Sequence, residues 1–328
     1  MTSNLYVLGH PVAHSKSPAM YNAVYQKLGL NWEYGFMDCA SEQDARAFLD
    51  AGDFLSINIT TPYKELALSY AQTASVAATL ARGANVLIAQ DGAYAADNTD
   101  GAGAVAYLER VGAQFAGARV VVCGTGPAAR SIMSAAAFAG AQSVALLGRD
   151  KGRTRAVLAA YKADLAALIE RTQAQEQEAA RAVDFNPFNS PLVRKTPDQV
   201  LAETDWSAWA YADAEADQAI GAADIVIDAT TLGMKQGDPA PFDTALLHAG
   251  QIAFDVVYAH GETAFVAGAR AAGAQAFDGE GMLVAQAVAT VNDLAQTHSE
   301  LRACDADLFA LMAQAAGFDA LAGVCARS

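Results

Sequence analysis

Lys64 lies in the stretch NITTPYKE, Asn58 to Glu65, where a proline follows a short apolar run and a helix is due to begin. Taking Thr61 as the N-cap and Pro62 as the first helical residue puts Lys64 at the third helical position, where a capping box prefers Glu or Gln. A cation there opposes the helix dipole, at a cost of roughly 0.3–1 kcal/mol. Local rules broken without visible compensation often mark functional sites; a solvated surface lysine is the plain alternative. Asp100, in ADNTDG, is a carboxylate able to hold and balance such an ammonium, although spacing alone does not bring the two together. A carbonyl reduction needs a proton donor beside the hydride acceptor, and a lysine tuned by a nearby group and a helix terminus can serve. Ser15 and Ser17, two apart in HSKSP, can point two hydroxyls at one carboxylate; serines in turns are equally at home there.

A second constellation is VVVCGTGPAARSIM, which sets Gly124 and Gly126 straight after a buried-strand pattern and before a helical one, with Ala129 as the third small residue. Such a loop turns tightly at its first glycine, lets backbone approach a pyrophosphate at its second and offers a helix N-terminus to the anion. The strand and helix context makes a dinucleotide site a stronger reading than a glycine turn. The next strand ends in GRDKGR. Arg149 and Arg153 there suit the 2′-phosphate of NADP, whereas Asp150 suits the free 2′-hydroxyl of NAD. NADP is the expected cofactor, with NAD as the alternative.

The elements that must carry these residues alternate. LYVLG at 5–9, a helix over 18–29, WEYGFMD at 32–38, a helix near 41–51 and FLSINIT at 54–60 form a βαβαβ series, which predicts a parallel sheet covered by helices. A second series runs through 118–124, a helix over 127–139, a strand at 143–149, a helix over 151–170, and strands at 224–230 and 251–257. In parallel sheets ligands bind outside the carboxyl ends of strands, where HSKSP and NITTPYK both fall. The expected fold class is therefore α/β, with two sheets joined near 101–105. Residues 278–328 are helical and alanine-rich and are expected to return to the first unit. The stretch 160–213 reads as an insertion, a polar helix followed by a turn-rich loop.

Composition narrows the classes. The chain has 328 residues, 53% hydrophobic and 17% charged, enough for a sizeable core and two domains. Its 36 acidic against 21 basic residues give a net charge of −15, which argues against nucleic acid or an anionic membrane as a partner. Four dispersed cysteines and five scattered histidines lack metal-ligand spacing. The first residues, MTSNLYVLGHPVAHSKSP, lack a basic segment leading into an apolar one, and no run reaches the ~18 apolar residues of a membrane span, so a cytoplasmic protein is expected.

GHPVAHSKSPAMYN, NITTPYK, DNTDG, GTGPAAR, DATTLGM, DVVYAHGETAF and DGEGMLVAQA occur in the order seen in shikimate dehydrogenases, and the chain resembles that family over nearly its whole length. The resemblance implies an N-terminal substrate-binding domain, 1–104, completed by helices within 278–328. It implies a Rossmann-type dinucleotide-binding domain, 105–277, carrying the insertion, with a cleft between the two. It implies NADP-linked, reversible reduction of 3-dehydroshikimate to shikimate by a monomer or homodimer. By motif, Lys64 and Asp100 match the catalytic pair, and Ser15 and Ser17 the carboxylate-binding serines. Thr60, Asn85 and Gln286 match groups holding ring hydroxyls or the carboxylate, and Tyr258 a tyrosine near the substrate. Gly124, Gly126, Ala128, Arg130, Arg149 and Arg153 match the cofactor loop and 2′-phosphate clamp, and Met282 the loop lining the nicotinamide pocket. Departures from the family pattern are Pro127 for a glycine, Gly148 and Asp150 flanking Arg149, Val86 after Asn85, Asp228 for asparagine and Glu280 for leucine. They keep two alternatives open: an NAD-dependent quinate/shikimate dehydrogenase and a non-catalytic binding protein of the same fold.

Overall fold

The computed structural model describes residues 3–90, 92–179, 193–303 and 307–322. Two six-stranded sheets organise it. The first contains β1 (Ser3–Gly9), β2 (Trp32–Asp38), β3 (Ser56–Ile59), β4 (Thr73–Ala74), β5 (Val86–Gln90) and β6 (Ala93–Asp97), in the order β2-β1-β3-β5-β6-β4. The second contains β7 (Arg119–Cys123), β8 (Ser143–Gly148), β9 (Asp205–Ala210), β10 (Ile225–Asp228), β11 (Ile252–Asp255) and β12 (Gln275–Phe277), in the order β12-β11-β10-β7-β8-β9. The second sheet is parallel throughout. Its central strands are continuous apolar runs because helices cover both faces.

Three differences from the sequence-based expectations have local causes. The first sheet is mixed, because β5 runs antiparallel to both β3 and β6. Gly92, at φ +77°, lies in the turn between β5 and β6, so these two strands are joined too closely for a parallel crossover. The stretch 160–213 is only partly an insertion: Tyr161 and Leu165 are buried, and Asp205–Ala210 extends the second sheet as its edge strand. Ala208 and Ala210 supply the buried side of that strand, and alanine is a weak strand signal. Of the polar stretch, 180–192 lies outside the described residues. Finally, the helix near Lys64 starts later than expected. Tyr63 N–H turns back to Thr60 O at 3.0 Å, and the first helical bond is Ala67 N–H to Tyr63 O at 2.8 Å. Tyr63 is therefore the N-cap and Lys64 the first helical residue, so the capping-box conflict does not arise.

The helices before the junction are α1 (Ser17–Lys27), α2 (Glu42–Ala51), α3 (Lys64–Tyr70) and α4 (Val76–Ala81). Between the sheets run α5 (Asp100–Arg110) and α6 (Pro127–Phe138), followed by α7 (Lys151–Ala179), α8 (Pro197–Glu203), α9 (Ala214–Ala222) and α10 (Ala264–Ala271). The last helices are α11 (Glu280–Thr297), α12 (Leu308–Ala316) and α13 (Asp319–Ala322). Helix α5 packs against α6 on one side and α11 on the other, while α12 lies on α1. One apolar cluster consequently runs from Leu5 and Val7 through Leu108 and Ile132 to Val120 and Ile227, joining both sheets.

Candidate active site

The carboxyl ends of the two sheets face one cavity of ≈470 Å³. Lys64, at the start of α3, reaches across it to Asp100, at the start of α5: Nζ donates to Oδ2 at 2.5 Å. Both are largely buried, with side-chain exposures of 16% and 8%. Asn85 Nδ2 donates to the other carboxylate oxygen, Oδ1, at 2.9 Å. The Lys64 carbonyl accepts from Ala84 N–H at 2.8 Å, which ties the lysine's backbone to the segment that carries Asn85.

A second corner of the cavity is made of donors. Ser15 and Ser17 both line it, and Ser17 N–H donates to Ser15 Oγ at 3.2 Å, so one turn at the head of α1 presents the two hydroxyls together. Tyr258 comes from the other sheet; burial pushes its phenol up, partly offset by the Ser15 hydroxyl, which keeps it a hydrogen-bond donor. Thr60, Gln286 and Met282 also line the cavity. Gln286 spends part of its amide on the protein, Nε2 donating to Leu283 O at 2.9 Å.

The glycine loop opens onto the same cavity through Gly126 and Ala128. Gly126 is the N-cap of α6, with no side chain capping it and open space where a Cβ would stand. Gly124 lies behind it at φ +116°, and a Cβ there would be 2.8 Å from Ala229 O, so only glycine fits. Pro127 removes one N–H but occupies a position where that donor has no helical partner. Its ring packs over Gly83: a Cβ on Gly83 would meet Pro127 Cβ at 2.9 Å and Lys64 Cβ at 3.3 Å. The loop and the lysine are thus in contact through one glycine.

Arg149 and Arg153 do not reach this cavity; with Thr125, Asp150 and Thr154 they line a separate hollow beyond the loop. Asp150 Oδ1 accepts from Arg153 N–H at 2.6 Å, so its carboxylate caps the start of α7. Arg130 is half-buried on α6, its Nε without a hydrogen-bond partner, and burial, followed by repulsion from Arg82, lowers its guanidinium pKa. An orphaned guanidinium nitrogen, an uncapped helix N-terminus and two further arginines in one hollow fit a phosphorylated dinucleotide.

Sequence reasoning missed the groups behind the pair. Asn58, Thr99 and Thr290 are buried polar residues that link to Asn85 and Gln286. Asn58 and Thr99 lie inside the NITTPYK and DNTDG motifs with no sign of a role, and Thr290 carries no local signal on an apolar helix. Asp228 and Asp255, adjacent at the ends of β10 and β11, were missed as a pair.

An acid–base pair opening onto the same cleft as a glycine-turned helix N-terminus is the equipment of an α/β oxidoreductase. Residues 7–87 match the shikimate dehydrogenase substrate binding domain. The NADP(+) shikimate dehydrogenase of Methanothrix thermoacetophila is 33% identical over 285 residues, 86% of this chain and 88% of that protein. That of Rubrobacter xylanophilus is 32% identical over 296 residues, 88% of each. The chain belongs to the shikimate dehydrogenase family. In fold it is similar to the shikimate 5-dehydrogenase of Thermus thermophilus, described in complex with NADP(H) and shikimate, with a TM-score of 0.72 at 23% identity over 96% of this chain and 98% of that one. It is also similar to the ligand-free 5-ketofructose reductase of Gluconobacter sp. strain CHM43, with a TM-score of 0.68 at 26% identity over 97% and 98% of the two chains.

Proposed function

We propose that this enzyme interconverts 3-dehydroshikimate and shikimate with NADPH and NADP+, within the shikimate pathway. The observation that carries the reading is the 2.5 Å Lys64–Asp100 contact in a cavity that also holds a corner of donors and the exposed start of α6. The bound cofactor supplies, or in reverse accepts, the hydride at C3. Ser15, Ser17 and Tyr258 hold the substrate carboxylate, while Thr60, Asn85 and Gln286 hold ring hydroxyls. These anchors place the carbonyl oxygen at Lys64 Nζ, which gives it a proton as the alkoxide develops and takes one back in the reverse direction. Asp100 keeps the ammonium in place and stabilises its charge. Gly124, Gly126, Ala128 and Arg130 cradle the pyrophosphate, Met282 lines the nicotinamide pocket, and Arg149 and Arg153 clamp the 2′-phosphate. In this assignment 1–104 with 278–328 is the substrate domain and 105–277 the cofactor domain.

The test is a matrix of initial rates for shikimate and quinate, each with NADP+ and NAD+. The highest kcat/KM is expected for shikimate with NADP+; a clear preference for quinate with NAD+ would overturn the assignment. A similar fold in a ketofructose reductase makes the substrate axis of that matrix the more informative one.

A further inference from the structure

Behind the Lys64–Asp100 pair runs a line of buried hydrogen bonds whose directions follow from counting protons. Thr99 N–H donates to Asn85 Oδ1 at 2.8 Å, so the Asn85 amide must turn its Nδ2 toward Asp100 Oδ1, 2.9 Å away, and toward Thr99 Oγ1, 3.0 Å away. Thr290 Oγ1 has one proton and gives it to Gln286 O at 3.0 Å, leaving its lone pairs as the acceptor for its other neighbours. Thr99 Oγ1, at 3.4 Å, is one of these neighbours, and its single proton is shared between Thr290 and Gln286 Oε1, which lies at 3.3 Å. Another is Asn58 Nδ2 at 3.3 Å, whose amide is oriented by Tyr34 O–H donating to Asn58 Oδ1 at 2.8 Å. Thr290 is 1% exposed and does not line the cavity. One hydroxyl on α11 therefore meets the end of β3 and the residue preceding α5, two segments that deliver the site from different parts of the chain.

We infer that Thr290 is a positioning residue for the Lys64–Asp100 pair, acting through Thr99 and Asn85. Its oxygen lies between Asn58 and Thr99 and keeps Thr99 in place, and the Thr99 N–H, 2.8 Å from Asn85 Oδ1, sets the rotation that aims Nδ2 at Asp100. Removing the oxygen leaves Asn58 Nδ2 with only its 3.5 Å contact to Asn85 O and Thr99 Oγ1 with Gln286 Oε1 at 3.3 Å, and it loosens the placement of the Thr99 N–H that orients the Asn85 amide. The kinetic part of this inference rests on the dehydrogenase assignment above; the structural part does not.

The experiment compares Thr290→Val, which keeps shape and deletes the hydroxyl, with Thr290→Ser, which keeps the hydroxyl. In shikimate oxidation Thr290→Val is expected to lower kcat by about tenfold and to raise KM by no more than about threefold, because the Asn85 amide whose orientation is loosened also contacts the substrate. Thr290→Ser is expected to restore kcat to within about twofold of the parent. Independently of turnover, NMR of asparagine-labelled protein reads the Asn85 side-chain amide, identified by its absence in Asn85→Ser. Its bonded proton is expected to move upfield in Thr290→Val and to stay in Thr290→Ser. An unchanged amide signal in Thr290→Val, or a serine variant as slow as the valine one, overturns the inference. A parent protein inactive on shikimate overturns the function instead and leaves the NMR comparison to decide this one. If Thr290→Val does not fold, Thr290→Ala takes its place with the same expected readings.

Discussion

Two acidic corners lie at the carboxyl ends of strands in this molecule, and they are built in opposite ways. Asp100 accepts from the Lys64 ammonium at one oxygen and from the Asn85 amide at the other. Asp228 and Asp255 sit side by side on β10 and β11 with no cation against them in the described hydrogen-bond and ion-pair contacts. Asp228 Oδ1 accepts from Thr230 N–H at 3.0 Å, but its Oδ2 is buried without a partner. Burial, then repulsion from Asp255, pushes the Asp228 carboxyl up to about 7. Asp255 is pushed up to about 6, chiefly by burial, although Thr263 Oγ1 and Val257 N–H donate to it at 2.6 and 2.9 Å. The comparison teaches that burial alone does not make a carboxylate useful: the paired acid faces the cavity, while the unpaired one sits behind it and tends to hold its proton.

Breaking the first corner is expected to have the largest effect. Lys64→Ala removes the proposed proton donor and should lower kcat by about 10²–10⁴-fold with shikimate binding nearly intact, read by steady-state kinetics together with calorimetric titration of shikimate. Near-normal turnover would exclude Lys64 from the acid–base role. The second corner should respond in stability. Because the folded pKa of Asp228 lies above its unfolded value near 3.8, the folded state holds this proton more tightly than the unfolded one does. Stability from this group is complete below about pH 4 and is lost as pH rises through about 7. Asp228→Asn should abolish that loss and stabilise the protein at pH 8 by on the order of 1–4 kcal/mol, with little gain at pH 4. Urea denaturation at the two pH values measures it, and an equal gain at both would assign the effect to packing. Smallest is Thr263→Val, which deletes a donor to Asp255 and the N-cap of α10. A loss of about 1–2 kcal/mol is expected, greater at pH 8 than at pH 5 because the ionised carboxylate needs the donor more. A pH-independent loss would leave only the cap.

Much of the scaffold is legible in the sequence because its signals are local. The apolar run of β7, the glycines after it and the helix beyond lie within a few residues of one another, and each restricts its neighbours directly. The α/β class follows from the same alternation. β6 and β9 escape a sequence reading because alanines weaken their strand signal, and their strand character comes from the partners they pair with; β5, Val-Leu-Ile-Ala-Gln, carries an apolar run that the alternating βα pattern passes over. The start of α3 lies two residues beyond its expected place because the turn closing on Thr60 competes with helix nucleation at Pro62.

The site divides along the same line. The sequence alone determined which residue types could do the chemistry: Lys64, Asp100, the serine pair, and the glycine loop with its arginines. Residue type and spacing decide what a short segment can offer. Tertiary structure decided who meets whom. Lys64 and Asp100 are 36 residues apart in the chain, and Asn58 and Thr290 are 232 apart. No local pattern encodes contacts at that separation; they exist because α5 and α11 pack together, while Lys64 at the start of α3 and Asn58 on β3 reach them through side-chain hydrogen bonds. Whether a buried acid is held by an ammonium, as Asp100 is, or left beside another acid, as Asp228 is, depends on that packing, since the surroundings and not the residue type determine where its proton goes.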